Sequence, residues 1–248
     1  MHRRSSQDPR SIVDRAVHES VYATGEYLAK HPSWGVENSS WKARQILRMI
    51  ARNGLSPRTI CEVGCGAGEI LRQLQLNMNV QCAFHGYEIS PQAYKLCQQR
   101  ANDKLRFHLG DFLEDEQDQF DLILLIDVIE HLEDCYGFLR QIRPRSDYKI
   151  LHIPLDMSVE TVLRVSRMER MYNPIGHLHY FTKETALRTL GHCGYRVLDW
   201  FYTQGLLELP VRTRLARLAR PVVRLMMAVD KDWTVRLVSS CSLMVLVS

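Results

Sequence analysis

The segment Glu62-Val63-Gly64-Cys65-Gly66-Ala67-Gly68-Glu69 constrains the fold most. It follows a short apolar strand, Thr59–Val63, and opens a helical stretch from Glu69 to Leu76. Glycines between a strand and a helix let the chain turn sharply and let a ligand approach the main chain closely. Their spacing is G-x-G-x-G. A dinucleotide loop, G-x-G-x-x-G, would place its third glycine at position 69, where this chain has Glu69. An acid at a helix start repels a pyrophosphate and suits a ligand without phosphates.

The alternation continues. Strands are predicted at Ala83–Glu88, Leu105–Leu109, Phe120–Asp127, Tyr148–Pro154, Tyr195–Thr203 and Val235–Val247. Helices are predicted at Ile12–Leu28, at Trp41–Asn53 with Ser39 or Ser40 as cap, from Pro91 to about Ala101, and at Leu132–Ile142. Two more are predicted at Ser158–Met171 and, after Thr182 as cap, up to Gly191. Phe120–Asp127 is nearly all apolar, as in a strand buried on both faces. Strands alternating with helices predict an α/β, Rossmann-like doubly wound sheet.

Acids recur where such sheets bind ligands, at carboxyl-terminal strand ends. Glu88 ends the second strand, Asp111 in Gly110-Asp111-Phe112 follows the third, and Asp127 ends the fourth. Helix capping is the alternative reading of this set.

Together, Glu-Val-Gly-Cys-Gly-Ala-Gly, Gly-Tyr-Glu-Ile-Ser, Gly-Asp-Phe and Asp-Leu-Ile-Leu-Leu-Ile-Asp-Val-Ile-Glu-His-Leu resemble the class I S-adenosylmethionine-dependent methyltransferases. Gly176-His177-Leu178-His179-Tyr180-Phe181-Thr182 resembles a subgroup acting on small molecules, lipids or glycans. The resemblance spans about residues 58–204 and the last strand. It implies a seven-stranded sheet whose last strand enters antiparallel between the fifth and sixth. It implies that Gly64, Cys65, Gly66 and Gly68 wrap the methionine end of S-adenosylmethionine, with Glu62 orienting the loop or a water at its amino group. Glu88 would hold the ribose, Ile89 would lie against the adenine, and Gly110, Asp111 and Phe112 would meet the adenine. Ile126, Asp127 and Val128 would floor the methionine. The implied activity is methyl transfer (EC 2.1.1) to a small-molecule acceptor through O or N, leaving S-adenosylhomocysteine (SAH). A non-catalytic module binding this cofactor is the second reading. An NAD-dependent oxidoreductase is disfavoured by Glu69.

Candidate bases are His131, His177 and His179, since imidazole titrates near neutrality. Loop hydrogen bonding is the alternative for each. His177 and His179 share a face if their segment is extended. A metal is not expected, because no third ligand accompanies the HxH pair. Residues 1–53, carrying Tyr22, Tyr27, Trp34 and Trp41, are expected to form a helical lid or cap on a 54–248 methyltransferase domain. A helix packed on the sheet is the alternative.

The 32 Lys and Arg against 28 Asp and Glu give a net +4, too mild to imply nucleic acid. No target-base motif such as Asn-Pro-Pro-Tyr follows the fourth strand. The excess sits late, in an insertion at 205–232. Val211–Val229 is amphipathic, with Arg214, Arg217, Arg220 and Arg224 on one stripe and Leu215, Leu218, Val222, Leu225, Met226 and Val229 on another. Pro221 is expected to kink or split it. Such a helix suits an anionic membrane surface or an anionic substrate, or it is a surface helix with solvated Arg. Seven Cys without a CxxC pair, no leader-like apolar stretch near Met1 and no apolar run of about 18 residues lead to the expectation of a cytoplasmic protein.

Overall fold

The computed structural model describes residues 34–248 except 79–80, 116–118, 165, 167, 170–175, 211–213 and 239–240. The expected Ile12–Leu28 helix, with Tyr22 and Tyr27, lies outside them.

In chain order the elements are α1 (Val36–Arg52), β1 (Thr59–Val63), α2 (Glu69–Asn77), β2 (Ala83–Glu88), α3 (Pro91–Gln98), β3 (Leu105–Leu109) and β4 (Phe120–Ile126). Then come α4 (Cys135–Ile142), β5 (Ser146–Pro154), α5 (Val159–Leu163), α6 (Lys183–His192) and β6 (Val197–Gln204). The chain closes with α7 (Gly205–Glu208), α8 (Arg214–Val229), α9 (Lys231–Leu237) and β7 (Cys241–Val247). The sheet order is β3-β2-β1-β4-β5-β7-β6. β1 to β5 pair in parallel, and β7 enters antiparallel between β5 and β6. This is the expected doubly wound sheet.

Side chains alternate along the central strands, so each strand feeds two cores. Ile123 and Leu125 of β4, with Leu243, Val245 and Val247 of β7, pack against α4, α6 and α8. Leu122, Leu124 and Ile126, with Met244 and Leu246, pack against α1, α2 and α3. All seven cysteines are free thiols in the interior.

The differences from expectation have local causes. α1 begins at Val36 after Gly35, which is left-handed at φ 73°, so Ser39 and Ser40 fall inside the helix. Asp134 caps α4 by accepting from Gly137 N, so α4 starts at Cys135 rather than Leu132. The expected Val235–Val247 strand is two elements. Asp230 accepts from Trp233 N at 2.9 Å, and this cap overrides the β-branched composition to start α9. α8 runs through Pro221 without a break. It buries Val223 and Met227, which lie beside the apolar stripe. Leu218, Val222, Leu225 and Val229 stay exposed, at 74% and 81% for the first and last.

Candidate active site

The glycine loop is built by backbone geometry. Gly64, Gly66 and Gly68 all adopt positive φ, at 72°, 54° and 74°. Gly64 N and Cys65 N both donate to the Tyr87 carbonyl, at 2.9 and 3.1 Å, lashing the loop to the end of β2. At Gly68 a Cβ would lie 2.5 Å from Phe107 and 2.8 Å from Cys97. At Gly66 it would lie 2.5 Å from Trp34 Cδ1, so the indole rests directly on the loop.

The strand-end acids differ in how they are satisfied. Glu88 is buried, with Oε2 accepting from Gly66 N and Oε1 from Ser90 N, both at 2.8 Å. Burial raises its pKa despite these bonds. Ile89 beside it is 50% exposed, an apolar face open to a ligand. Asp111 caps the short 3-10 turn Phe112–Glu114 by accepting from Leu113 N at 2.9 Å. Phe112 is buried edge-on to Tyr87, with the Arg145 guanidinium 4.5 Å from its ring. Glu69 turns from the loop mouth to Arg72 at 3.0 Å and Arg100 at 2.7 Å. Its burial is outweighed by these bonds and one from Gln73, so its pKa falls.

Glu62, at the end of β1, is buried, and its Oε2 has no hydrogen-bond partner among the described residues. Burial pushes its pKa up to about 8, Lys42 opposes the shift, and Glu88 and Asp127 add to it. Asp127 has a left-handed backbone at φ 56° between the buried Ile126 and the half-buried Val128. Lys42 of α1 and His152 Nδ1 of β5 each lie 2.5 Å from its carboxylate. His152 Nε2 in turn meets Thr203 Oγ1 at 2.9 Å, and Trp41 stands edge-on to the imidazole at 6.0 Å. Burial of Asp127 would raise its pKa, but the charges and bonds of Lys42 and His152 hold it well below the usual carboxylate range. Trp41 and Gln45 of α1 also donate to Glu208 of α7, at 2.7 and 2.9 Å. Thus α1 packs into one core and reaches the strand ends.

Of the three candidate bases, the structure groups two. The His131 and His177 rings are 4.9 Å apart at 81°. His131 Nδ1 lies 3.1 Å from the Gly176 carbonyl, and His177 Nδ1 lies 2.7 Å from Asp156 Oδ2. His179 does not share their face. Its Nε2 meets the Leu132 carbonyl at 2.7 Å, because Leu178 N and His179 N both turn in to the Glu130 carbonyl. Phe181 is buried core.

Lys42, His152, Thr203, Glu130 and Asp156 were not among the expected site residues. His152 carried a signal: a polar side chain in the apolar strand Leu151-His152-Ile153 needs a buried partner.

Residues 61–145 match the methyltransferase domain family. The matched stretch is about a third of the chain, and the seven-stranded sheet around it has the fold of the class I methyltransferases. The chain is 30% identical over 189 residues to ajmaline N-methyltransferase of Rauvolfia serpentina, covering 70% of this chain and 60% of that one. It is 32% identical over 92 residues to norajmaline N-methyltransferase of the same plant, covering 34% of this chain and 31% of that one. It therefore spans about three fifths of the first relative and under a third of the second. Among solved structures, magnesium protoporphyrin IX methyltransferase from Synechocystis PCC 6803 with bound SAH aligns at TM-score 0.61 and 15% identity. That alignment covers 94% of this chain and 98% of the other. The plantazolicin methyltransferase with SAH and a desmethyl substrate analogue aligns at TM-score 0.59 and 14% identity, covering 95% and 94%. At such identities these two likenesses concern the methyltransferase fold alone.

Proposed function

We propose that the chain transfers a methyl group from S-adenosylmethionine to the oxygen or nitrogen of a small-molecule acceptor, releasing SAH. The observation that carries this reading is the loop of three left-handed glycines ringed by Glu62, Glu88 and Asp127. An acidic rim suits a ligand bearing an ammonium and a sulfonium, and it repels a pyrophosphate. The N-methyltransferase relatives and the SAH-bound neighbours support the same cofactor.

In this reading Gly64, Cys65, Gly66 and Gly68 wrap the methionine end and Glu62 takes the ammonium. Glu88 holds the ribose through its remaining lone pairs while its amide contacts keep the loop shaped. Ile89 covers the adenine, with Gly110, Asp111 and the Phe112 backbone at its edge. Ile126, Asp127 and Val128 floor the methionine. The acceptor lone pair attacks the methyl carbon as the carbon–sulfur bond breaks, and the sulfonium's own reactivity supplies the activation. The protein's task is alignment and exclusion of water. Trp34 and α1 cap the loop for that purpose. An acceptor that carries a proton gives it up to the His131–His177 pair. Reduced thiols fit a cytoplasmic setting.

The test is incubation with S-adenosylmethionine and a panel of amine, phenol and carboxylate acceptors, reading SAH and methylated product by mass spectrometry. Product formation is the expected result. Tight cofactor binding with no turnover on any acceptor would favour the non-catalytic module.

A second reading concerns α8. Its exposed Leu218, Val222, Leu225 and Val229 recur at helical spacing beside the exposed Arg214, Arg217 and Arg224. That face suits an anionic membrane surface. No helix among the described residues is long and apolar enough to cross a membrane. Arg220 is committed elsewhere, donating to the Leu207 and Leu209 carbonyls of the α7 segment.

A further inference from the structure

The end of β4 carries a carboxylate that the cofactor reading leaves unused. Glu130 is fully buried at 0% exposure, and neither of its carboxylate oxygens has a hydrogen-bond partner among the described residues. Buried carboxylates are ordinarily paired, hydrogen-bonded or bound to metal. The nearby cation, Lys42, is committed elsewhere, to Asp127 at 2.5 Å.

Two imidazoles stand beside Glu130. One ligand atom from each of Glu130, His131 and His177 lies within 4.8 Å of the other two. His131 Nε2 is 4.0 Å from Glu130 Oε1. The Gly176 carbonyl and the Asp156 carboxylate can only accept, so each ring carries its proton on Nδ1 and its lone pair on Nε2. A carbonyl or carboxylate behind the imidazole is the arrangement that orients a metal-ligating histidine. The site is also set by backbone. Leu178 N and His179 N both donate to the Glu130 carbonyl, at 2.7 and 3.0 Å, which clamps the His177 segment to the β4 loop. The HxH spacing is thus not the ligand pair. His177 joins Glu130 and His131, while His179 goes to Leu132.

We propose that Glu130, His131 and His177 bind a divalent first-row transition ion, such as Zn²⁺ or Mn²⁺. Two imidazoles and one carboxylate form a donor set for such ions, with positions left for water or an oxygen ligand. Bonds of about 2.0–2.2 Å would draw the donor atoms to roughly 3.0–3.4 Å from one another. The Glu130 and His131 torsions supply that closure. With the ion bound both Nε2 lone pairs are occupied, so the ion replaces the imidazole pair as activator: a remaining position takes an oxygen of the acceptor, the ion lowers the pKa of that group, and its proton leaves to water. This last point rests on the methyl-transfer reading; ion binding does not.

The test uses the full chain, stripped with EDTA and titrated with Zn²⁺ or Mn²⁺ by calorimetry, with bound metal counted by mass spectrometry. The expected result is one ion per chain. Affinity should fall on the order of 100-fold or more in His177→Ala, and about 10–100-fold in Asp156→Asn, which removes only the negative charge behind the ring. Glu130→Gln should behave like His177→Ala, and unchanged SAH affinity would show each variant folded. If Glu130→Gln does not fold, His177→Ala and Asp156→Asn decide alone. Equal affinity in wild type and His177→Ala would overturn the proposal. So would absence of uptake together with an infrared carbonyl band of a protonated acid that disappears in Glu130→Gln. Ion uptake without S-adenosylmethionine or SAH binding would uphold the ion site and sink only the methyl-transfer reading.

Discussion

Glu88 at the end of β2 and Glu130 past the end of β4 are both buried carboxylates at the ligand-binding edge of one sheet. They are satisfied in opposite ways. Glu88 has both oxygens occupied by amides of the glycine loop and the following turn. The Glu130 carboxylate accepts from nothing among the described residues, and Glu62 has one orphan oxygen. A satisfied acid shapes the protein; an orphaned one marks where a cation belongs. On the proposed reading Glu88 is scaffold and cofactor ligand at once, whereas Glu62 takes an ammonium and Glu130 a metal ion.

The largest expected effect comes from removing the satisfied acid. Glu88→Ala leaves two buried amides unpaired, each costing about 1–3 kcal/mol. Calorimetry should show cofactor affinity lost by at least about 100-fold; an unchanged affinity would break the site assignment. Next comes Gly68→Ala. Its new Cβ would sit 2.5 Å from Phe107 at φ 74°, so thermal or urea unfolding should show a loss of about 1–3 kcal/mol.

The orphaned Glu62 gives a pH signature. Its folded pKa of about 8 lies above its unfolded value near 4.5. Its contribution to stability is fully present below the unfolded value, and the folded state loses it as pH rises toward 8. At pH 7 the side chain is mostly protonated. A bound ammonium favours the anion, so cofactor binding should release a proton near pH 7. The release should fade above pH 8, where Glu62 is already ionised, and vanish in Glu62→Gln. The smallest effect on the fold is expected at α8. Arg217→Glu with Arg224→Glu should change stability within about 0.5 kcal/mol yet abolish flotation with anionic vesicles. Undiminished flotation would remove the membrane reading.

Much of this was legible in the chain. The glycine loop and the alternation of apolar strands with periodic helices are local patterns, and they carried the succession of elements through β5. The acids at strand ends were legible as a set. What each acid touches was not. Lys42 reaches Asp127 across 85 residues, and His177 reaches Glu130 across 47, so only the fold brings them together. The docking side of α8 was not legible for a related reason. Its amphipathicity was plain, but which side docks depends on the core beneath Val223 and Met227. At α9 a single Asp230 cap outweighed a strand-like composition.

The most direct measurement is calorimetry of the wild-type chain with S-adenosylmethionine, SAH and NAD, at pH 7 in two buffers of different ionisation enthalpy. The acid-lined loop predicts binding of S-adenosylmethionine and SAH with proton release, and no binding of NAD. Binding of NAD without either sulfur ligand would contradict it.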